Sequence, residues 1–542
     1  MRRSSTPDGE AFSGLPPIET IAAAIVFALL ITVTIYAPAL NGPFLFDDHA
    51  LPYTPAAGSE RPLLEWISGV RPVLMFTYWL NARLLGPGPV SYRVVNILLH
   101  VANSILVLLF IRRILRLRGI AAGRALITSA AAAALFLVHP VQTESVAYIA
   151  GRSETLTALF SLSALVLFVH QPGGAMSGRA AIMILALYVA AILSKEQAVI
   201  LPALFLSTDV LLFGRSPRQA VCERRKLYVG LAVLAAAGLA FVASVLIGAT
   251  TAGFRVQGLS SYEYFLTQSR VAFLYLQLIL FPVSQNADYD IPVSRNLFDH
   301  GALLALTGIV AGLAVAWRLR RRYALAVYGI ALCLICLAPT STVIPIKDVA
   351  AERRLYLPIA GASLVVVEIL LRQRPRAIAA VGLAVVIGAI LTYHRAAVWG
   401  DDVAFWSDTT SKTLTKTRGY AHLMHSLLRS GKCEAALKKA ASFPARAGDD
   451  SDFLVSLGSA YECTNRREEA VRVYERAAAR SPGPGMYLIL AKAYQRLGRW
   501  ADSERAHLHA LQLKPHTAFD RLALERDLRQ TEQSRTRTIE NH

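Results

Sequence analysis

The chain has 542 residues, of which 54% are apolar and 17% charged, with a mean hydropathy of +0.43; that surplus of apolar residues excludes an ordinary soluble domain. The 56 basic residues outnumber the 37 acidic ones, but they sit in short clusters between long apolar runs, the positive-inside pattern of a membrane protein and not a nucleic-acid-binding stripe. Five cysteines occur without histidine partners at ligand spacing, and the CxxC of Cys333 and Cys336 lies inside an apolar run, which argues against a metal site.

Arg2 and Arg3 precede an apolar run over 21–40, too long for a signal-peptide core, so residues 1–20 read as a cytoplasmic tail before a first, uncleaved span. Further runs at 94–111, 125–138, 155–170, 180–194, 197–213, 227–249, 301–317, 323–345, 355–371 and 377–393 bring the expectation to about eleven spans over 21–398. The basic clusters Arg112–Arg124, Arg215–Lys226, Arg318–Arg322 and Arg372–Arg376 all face the cytoplasm if the segment 265–281, with Gln268, Arg270 and Gln277, is interfacial or re-entrant. The C-terminal part then lies outside the cytoplasm.

After Trp399 the composition turns polar. A connecting helix is expected over 399–416, and a period of about 34 residues, that of a tetratricopeptide hairpin, follows. Leu457, Gly458, Tyr461, Ala470, Tyr474, Ala477 and Pro482 fill the packing positions of one copy; Leu423, Gly431 and Ala436 mark the copy before, and Leu490, Ala491, Tyr494, Gly498, Ala510 and Pro515 the copy after. Three repeats over 417–517 and a charged capping helix and tail over 518–542 are predicted. Stacking of this kind brings the start of one repeat's second helix beside the end of the next repeat's first, so Cys433 and Cys463 either bond or pack as two separate thiols. The fold class is therefore all-α: a polytopic helical membrane domain followed by a soluble α-solenoid.

Ionisable residues concentrate in loops expected on one face. The loop after the first span reads NGPFLFDDHA, with adjacent Asp47 and Asp48 followed by His49. Paired carboxylates in an apolar setting repel each other and can yield a base, although a solvated turn or helix cap uses the same residues. Arg61, Arg71, Arg83, Arg93 and Asn96 follow, on and around an amphipathic segment, RPVLMFTYWLNARLLG, suited to the membrane surface. Their guanidinium groups fit a substrate phosphate or anionic lipid. The stretch HPVQTESVAYIAGRSE adds His139, Glu144, Arg152 and Glu154; Lys195 and Glu196 end the fifth span, and Glu352, Arg353 and Arg354 precede 355–371. Each alone is compatible with a snorkelling or paired side chain; their convergence on one face favours a site.

The order FDDH, RPV, YRVVNILLH, HPVQTESVAYIAGRSE, SKEQ, ERRLYLP and then repeats resembles the transmembrane and tetratricopeptide repeat-containing O-mannosyltransferases and their bacterial relatives, over about 21–517. Those in turn are similar to the wider GT-C glycosyltransferases. The resemblance implies a bacterial inner-membrane enzyme that moves a mannose-like sugar, with inversion, from a polyprenyl-phosphate carrier to a hydroxyl of a protein or peptide acceptor held by the repeats. It places the base at Asp47 or Asp48, with Arg71, Lys195, Arg353 and Arg354 as candidates for the donor phosphate. No cofactor is required by the sequence, a divalent metal remaining possible, and no metal ligands are assigned. A non-catalytic repeat scaffold for envelope assembly and an O-antigen-ligase-like transferase are the competing readings.

Overall fold

A computed structural model describes residues 18–50, 62–248, 251–254, 256, 258–372, 376–413, 415–443, 450–513 and 518–540. Arg61 and Pro515, singled out above, lie outside the described residues. The chain divides into a unit ending at Asp401 and a second beginning at Asp402.

The first unit runs α1 Ile18–Leu40, α2 Leu63–Ile67, α3 Pro72–Leu85, α4 Pro89–Leu117, α5 Ala122–Val138, α6 Thr143–Ala147, α7 Arg152–Val169 and α8 Gly178–Ser194. It continues with α9 Leu201–Ser207, α10 Pro217–Glu223, α11 Arg225–Gly248, α12 Ser261–Leu280, α13 Ala302–Leu319, α14 Ala324–Leu337, α15 Pro358–Arg372 and α16 Arg376–Val398. Proline sits at the first turn of α3 and α4, where its missing N–H costs nothing, and capping boxes start α10 (Ser216 with Gln219) and α12 (Ser260 with Glu263).

Among the described residues, six helices are long and apolar enough to cross a membrane: Ala22–Leu40, Pro89–Leu117, Ile149–Val169, Arg225–Ser244, Asp299–Leu319 and Arg376–Val398. Two bent pairs bring this to eight, and Gly178–Ser194 and Ala324–Leu337 are apolar but shorter. Exposed Val26, Phe27 and Leu30 on α1, Leu304 and Val310 on α13, and Leu383 and Val386 on α16 offer the surface that lipid covers. This is a multi-pass membrane unit.

Two predicted runs differ in detail. The run 323–345 is helical only to Leu337, with Pro339 and Pro345 following, and 197–213 is broken into a 3-10 turn, α9 around Pro202 and a π-helical turn Thr208–Leu212. The segment 265–280 lies in one continuous helix, α12, which is not among the helices apolar enough to cross a membrane. Its Gln268 donates to the Val349 carbonyl at 2.7 Å and its Arg270 to that of Pro292 at 2.8 Å, so the polar residues brace loops.

Helix α4 packs on α1, α5 and α7, while α15 packs on α5 and α14 and α1 meets α16. Gly329 of α14 and Gly361 of α15 face each other's backbone so closely that a Cβ on either would strike the other's carbonyl. Polar α4 side chains hydrogen-bond within the bundle: Asn103 Nδ2 donates to the Tyr356 hydroxyl at 3.0 Å, and His100 pairs with that hydroxyl at 2.8 Å.

The second unit contains α17 Asp402–Lys412, the hairpins α18 Thr417–Arg429 with α19 Cys433–Ala441, α20 Ser451–Cys463 with α21 Arg467–Arg480, and α22 Pro484–Arg496 with α23 Trp500–Gln512, and then α24 Ala518–Glu540. Each hairpin turns on a left-handed residue: Gly431 (φ 71), Asn465 (φ 60) and Gly498 (φ 73). Gly458 lies against the Tyr474 ring, where a Cβ has no room, and Leu454, Ala470, Tyr474, Ala477, Leu490 and Ala491 share one core. Cys433 and Cys463 are joined in a disulfide, with Cα atoms 5.7 Å apart.

Candidate active site

Leaving α1, the chain turns at Gly42, packed against the Trp399 and Gly400 backbone without room for a side chain. A 3-10 turn, Phe46–Ala50, carries the two aspartates. They have opposite environments. Asp48 is buried and accepts the Leu45 N–H and the Ala150 N–H, both at 3.0 Å, joining the first loop to the third. Asp47 is exposed, and its own N–H donates to the Tyr148 hydroxyl at 3.0 Å. Burial, with the Asp48 and Asp47 charges, pushes the Tyr148 phenol well above its ordinary range, so it keeps its proton. His49 is exposed.

Two predicted arginines are struts. Buried Arg93 donates to the Ala147 carbonyl at 2.8 Å and to those of Leu40, Gly42 and Pro43, clamping first and third loops together. Arg152, also buried, donates to Asn96 Oδ1 at 2.9 Å, Asn81 Oδ1 at 2.8 Å and the Tyr92 carbonyl at 2.9 Å, with its guanidinium 4.5 Å from the Tyr78 ring centre. Arg354 donates to the Val349 carbonyl at 2.9 Å and that of Asp348, bracing its own loop. All three arginines are buried, Arg93 and Arg152 almost completely.

The other cations pair with predicted acids. Arg71 grips Glu196 in a two-pronged pair (Nε–Oε2 2.9 Å, Nη2–Oε1 2.7 Å), Lys195 meets Glu154, and Arg353 donates through its backbone (2.9 Å) and its guanidinium to Glu144. Against the opposing effect of burial, Arg71 holds Glu196 down to about 2. Burial lowers the Lys195 ammonium, Glu154 opposes that, and Arg71 and Arg353 both repel it, which places the three cations in one electrostatic neighbourhood. At Tyr148 the Asp47 charge raises the phenol and the Arg353 charge lowers it, with burial the dominant effect.

Glu352 is fully buried and accepts from Gln285 Nε2 (2.6 Å), the Asn286 N–H (2.7 Å) and the Tyr289 hydroxyl (2.7 Å). Burial, reinforced by Glu144 and opposed by Arg395, pushes its carboxyl up to about 7. It therefore anchors the loop after α12 instead of facing substrate. His139 accepts the Val141 N–H at Nδ1 and donates from Nε2 to the Ile279 carbonyl at 3.0 Å, standing at the rim of an apolar cavity of about 970 Å³. Helices α5 and α12 to α16 line it, with Phe273, Leu276, Leu334, Val366 and Val381 among the walls. Among the described residues, no three His, Cys, Asp or Glu side chains are placed to hold a metal ion.

Tyr148, Gln285, Asn286, Tyr289 and Arg395 were missed by residue-type reasoning. Tyr148 lay inside a quoted motif, but its partner Asp47 is 101 residues away, and residue type carries no trace of that pairing.

The tetratricopeptide repeat model matches residues 454–485. A protein O-mannosyl-transferase of Caenorhabditis elegans is 28% identical over 439 residues, covering 76% of this chain and 61% of the relative. The chain is similar to protein O-mannosyl-transferases. The human protein O-mannosyl-transferase TMTC4 is 30% identical over 243 residues (39% of this chain, 33% of the relative) and human TMTC3 24% over 461 (76% and 48%). The chain thus spans about a third to three fifths of the length of these protein O-mannosyl-transferases. No solved structure matches it.

Proposed function

We propose that the protein is a GT-C-type membrane glycosyltransferase that moves a mannose-like sugar from a polyprenyl-phosphate carrier to hydroxyl groups of protein acceptors, with inversion at the anomeric carbon. One observation carries the reading: the stretch 144–154 holds both the turn of the exposed Asp47, through the Tyr148 hydroxyl and the Ala150 N–H, and two cations, Arg353 through Glu144 and Lys195 through Glu154. Asp47 takes the proton of the acceptor hydroxyl as its oxygen attacks the anomeric carbon. The carbon–oxygen bond to the phosphate breaks, and the phosphate leaves with the electron pair. Arg353, Lys195 and Arg71 stabilise that developing charge by exchanging their carboxylate partners for phosphate oxygens. Asp48 orients the turn and takes no proton.

The apolar cavity whose rim reaches His139 suits the carrier's hydrocarbon chain. The disulfide between Cys433 and Cys463 supports repeats in an oxidising, extracytoplasmic compartment of a bacterial inner-membrane protein, where they hold the acceptor. The test is transfer of radiolabel from a panel of polyprenyl-phosphate sugars to envelope protein by the purified enzyme. Transfer by wild type and none by a well-folded Asp47→Asn variant is expected; equal transfer by both would remove the base. The full internal pairing of the three cations favours the second reading, a non-catalytic scaffold, which predicts no transfer from any donor.

A further inference from the structure

Phe46, directly before the proposed base, holds φ at 48°. A bulky side chain occupies that left-handed region only where its surroundings over-determine the backbone, and such residues cluster at functional sites. Part of the constraint is local: the Asp48 N–H donates to the Leu45 carbonyl at 3.0 Å while the Leu45 N–H donates back to the Asp48 carboxylate at 3.0 Å. The rest comes from Tyr148. Its hydroxyl accepts the Asp47 N–H, and its ring meets the Phe46 ring edge-on, with centroids 6.1 Å apart. Tyr148 is itself fixed, with its ring 5.7 Å from that of Trp399 and its carbonyl accepting from Asn96 Nδ2 at 3.2 Å.

We propose that Tyr148 is the positioning residue of the base: it locks the left-handed turn at Phe46 so that the Asp47 carboxylate is presented outward while that of Asp48 is turned inward. The inference rests on the reading of Asp47 as the base, and it adds a third-loop residue whose role is aim, since its hydroxyl is engaged with the Asp47 backbone. Aim matters because transfer requires carboxylate, hydroxyl and anomeric carbon to be aligned within a few tenths of an ångström.

Tyr148→Phe keeps both ring contacts and removes only the hydroxyl. With radiolabelled undecaprenyl-phosphate mannose as donor and envelope protein of the expression host as acceptor, kcat should fall about 3- to 10-fold, the worth of one hydrogen bond, with KM for the donor within about twofold of wild type. Phe46→Gly makes the left-handed turn free of steric cost, so Tyr148→Phe in that background should lower kcat less than about twofold. An unchanged kcat, a loss confined to donor KM, or the same loss in both backgrounds overturns the proposal. An activity-independent arm labels carboxylates with a water-soluble carbodiimide and an amine, read by mass spectrometry. Asp47 should react ahead of Asp48 in wild type and lose that preference in Tyr148→Phe at unchanged melting temperature; a preserved preference overturns the proposal. If wild type transfers from no donor, the function proposed above fails and the labelling arm alone decides this inference.

Discussion

The repeat unit and the loop face of the membrane unit use the same residue types under different rules. In the repeats, what holds one residue lies within about one repeat length: Gly458 accommodates Tyr474, Cys433 bonds Cys463 across 30 residues and Arg496 pairs with Glu462 across 34. On the loop face, Asp48 reaches Ala150 across 102 residues and Arg353 reaches Glu144 across 209. Local, periodic packing is written in spacing; non-local pairing of charges is not.

The difference can be broken or sharpened by substitution. The largest effect belongs to Asp47→Asn, which should lower transfer by about a hundred- to ten-thousand-fold at unchanged melting temperature; steady-state transfer assays beside thermal unfolding in detergent check it. Next comes Arg353→Ala, which strands the buried Glu144 carboxylate and should destabilise the membrane unit by about 3–5 kcal/mol, whereas the double change of Arg353 and Glu144 to leucine should recover most of that.

In the repeats, reduction of the Cys433–Cys463 bond should cost about 3.6 kcal/mol in the chain-entropy model, read as a lower repeat-unit unfolding temperature with reductant. Non-reduced, alkylated protein should show neither cysteine labelled.

A smaller effect is expected in the pH dependence of the loop face. The Glu352 carboxyl is raised from 4.5 to about 7. The folded protein therefore binds its proton more tightly than the unfolded chain, and stability should decline as pH rises from about 4.5 through 7. Glu352→Gln should flatten that decline in melting temperature; an unaltered slope would discard Glu352 as its source. Least affected should be Arg71→Ala, whose pair with Glu196 is about a third exposed on the arginine side: stability should change by no more than about 1 kcal/mol, so any rise in donor KM reports on phosphate binding.

How much was legible follows the same divide. Leu457, Gly458, Tyr461, Ala470, Tyr474, Ala477 and Pro482 could be placed from spacing alone, and the turn that spacing missed, Asn465, uses an asparagine in the left-handed role filled by Gly431 and Gly498 in its neighbours. Each of the eleven apolar runs contains a helix, but their ends depended on prolines and on packing partners. In the candidate site, the acidic pair was visible, yet Asp47 and Asp48 are identical in type, and only burial separates the exposed carboxylate from the one spent on two N–H groups. The same holds for Arg93 and Arg152, whose guanidinium groups are consumed by backbone carbonyls and amides contributed by other segments.

The span between Arg353 and Glu144 sets a clock on biosynthesis. After Glu144 is made, roughly 200 further residues must follow before Arg353 exists, which at about 5–20 residues per second takes about 10–40 s. Throughout that interval Glu144 has no guanidinium to accept from, and Glu352, which secures the loop after α12, has not been synthesised. A nascent chain stalled before the ERRLYLP segment therefore carries an uncompensated acid at a membrane edge, a mark by which quality control can tell unfinished copies from finished ones.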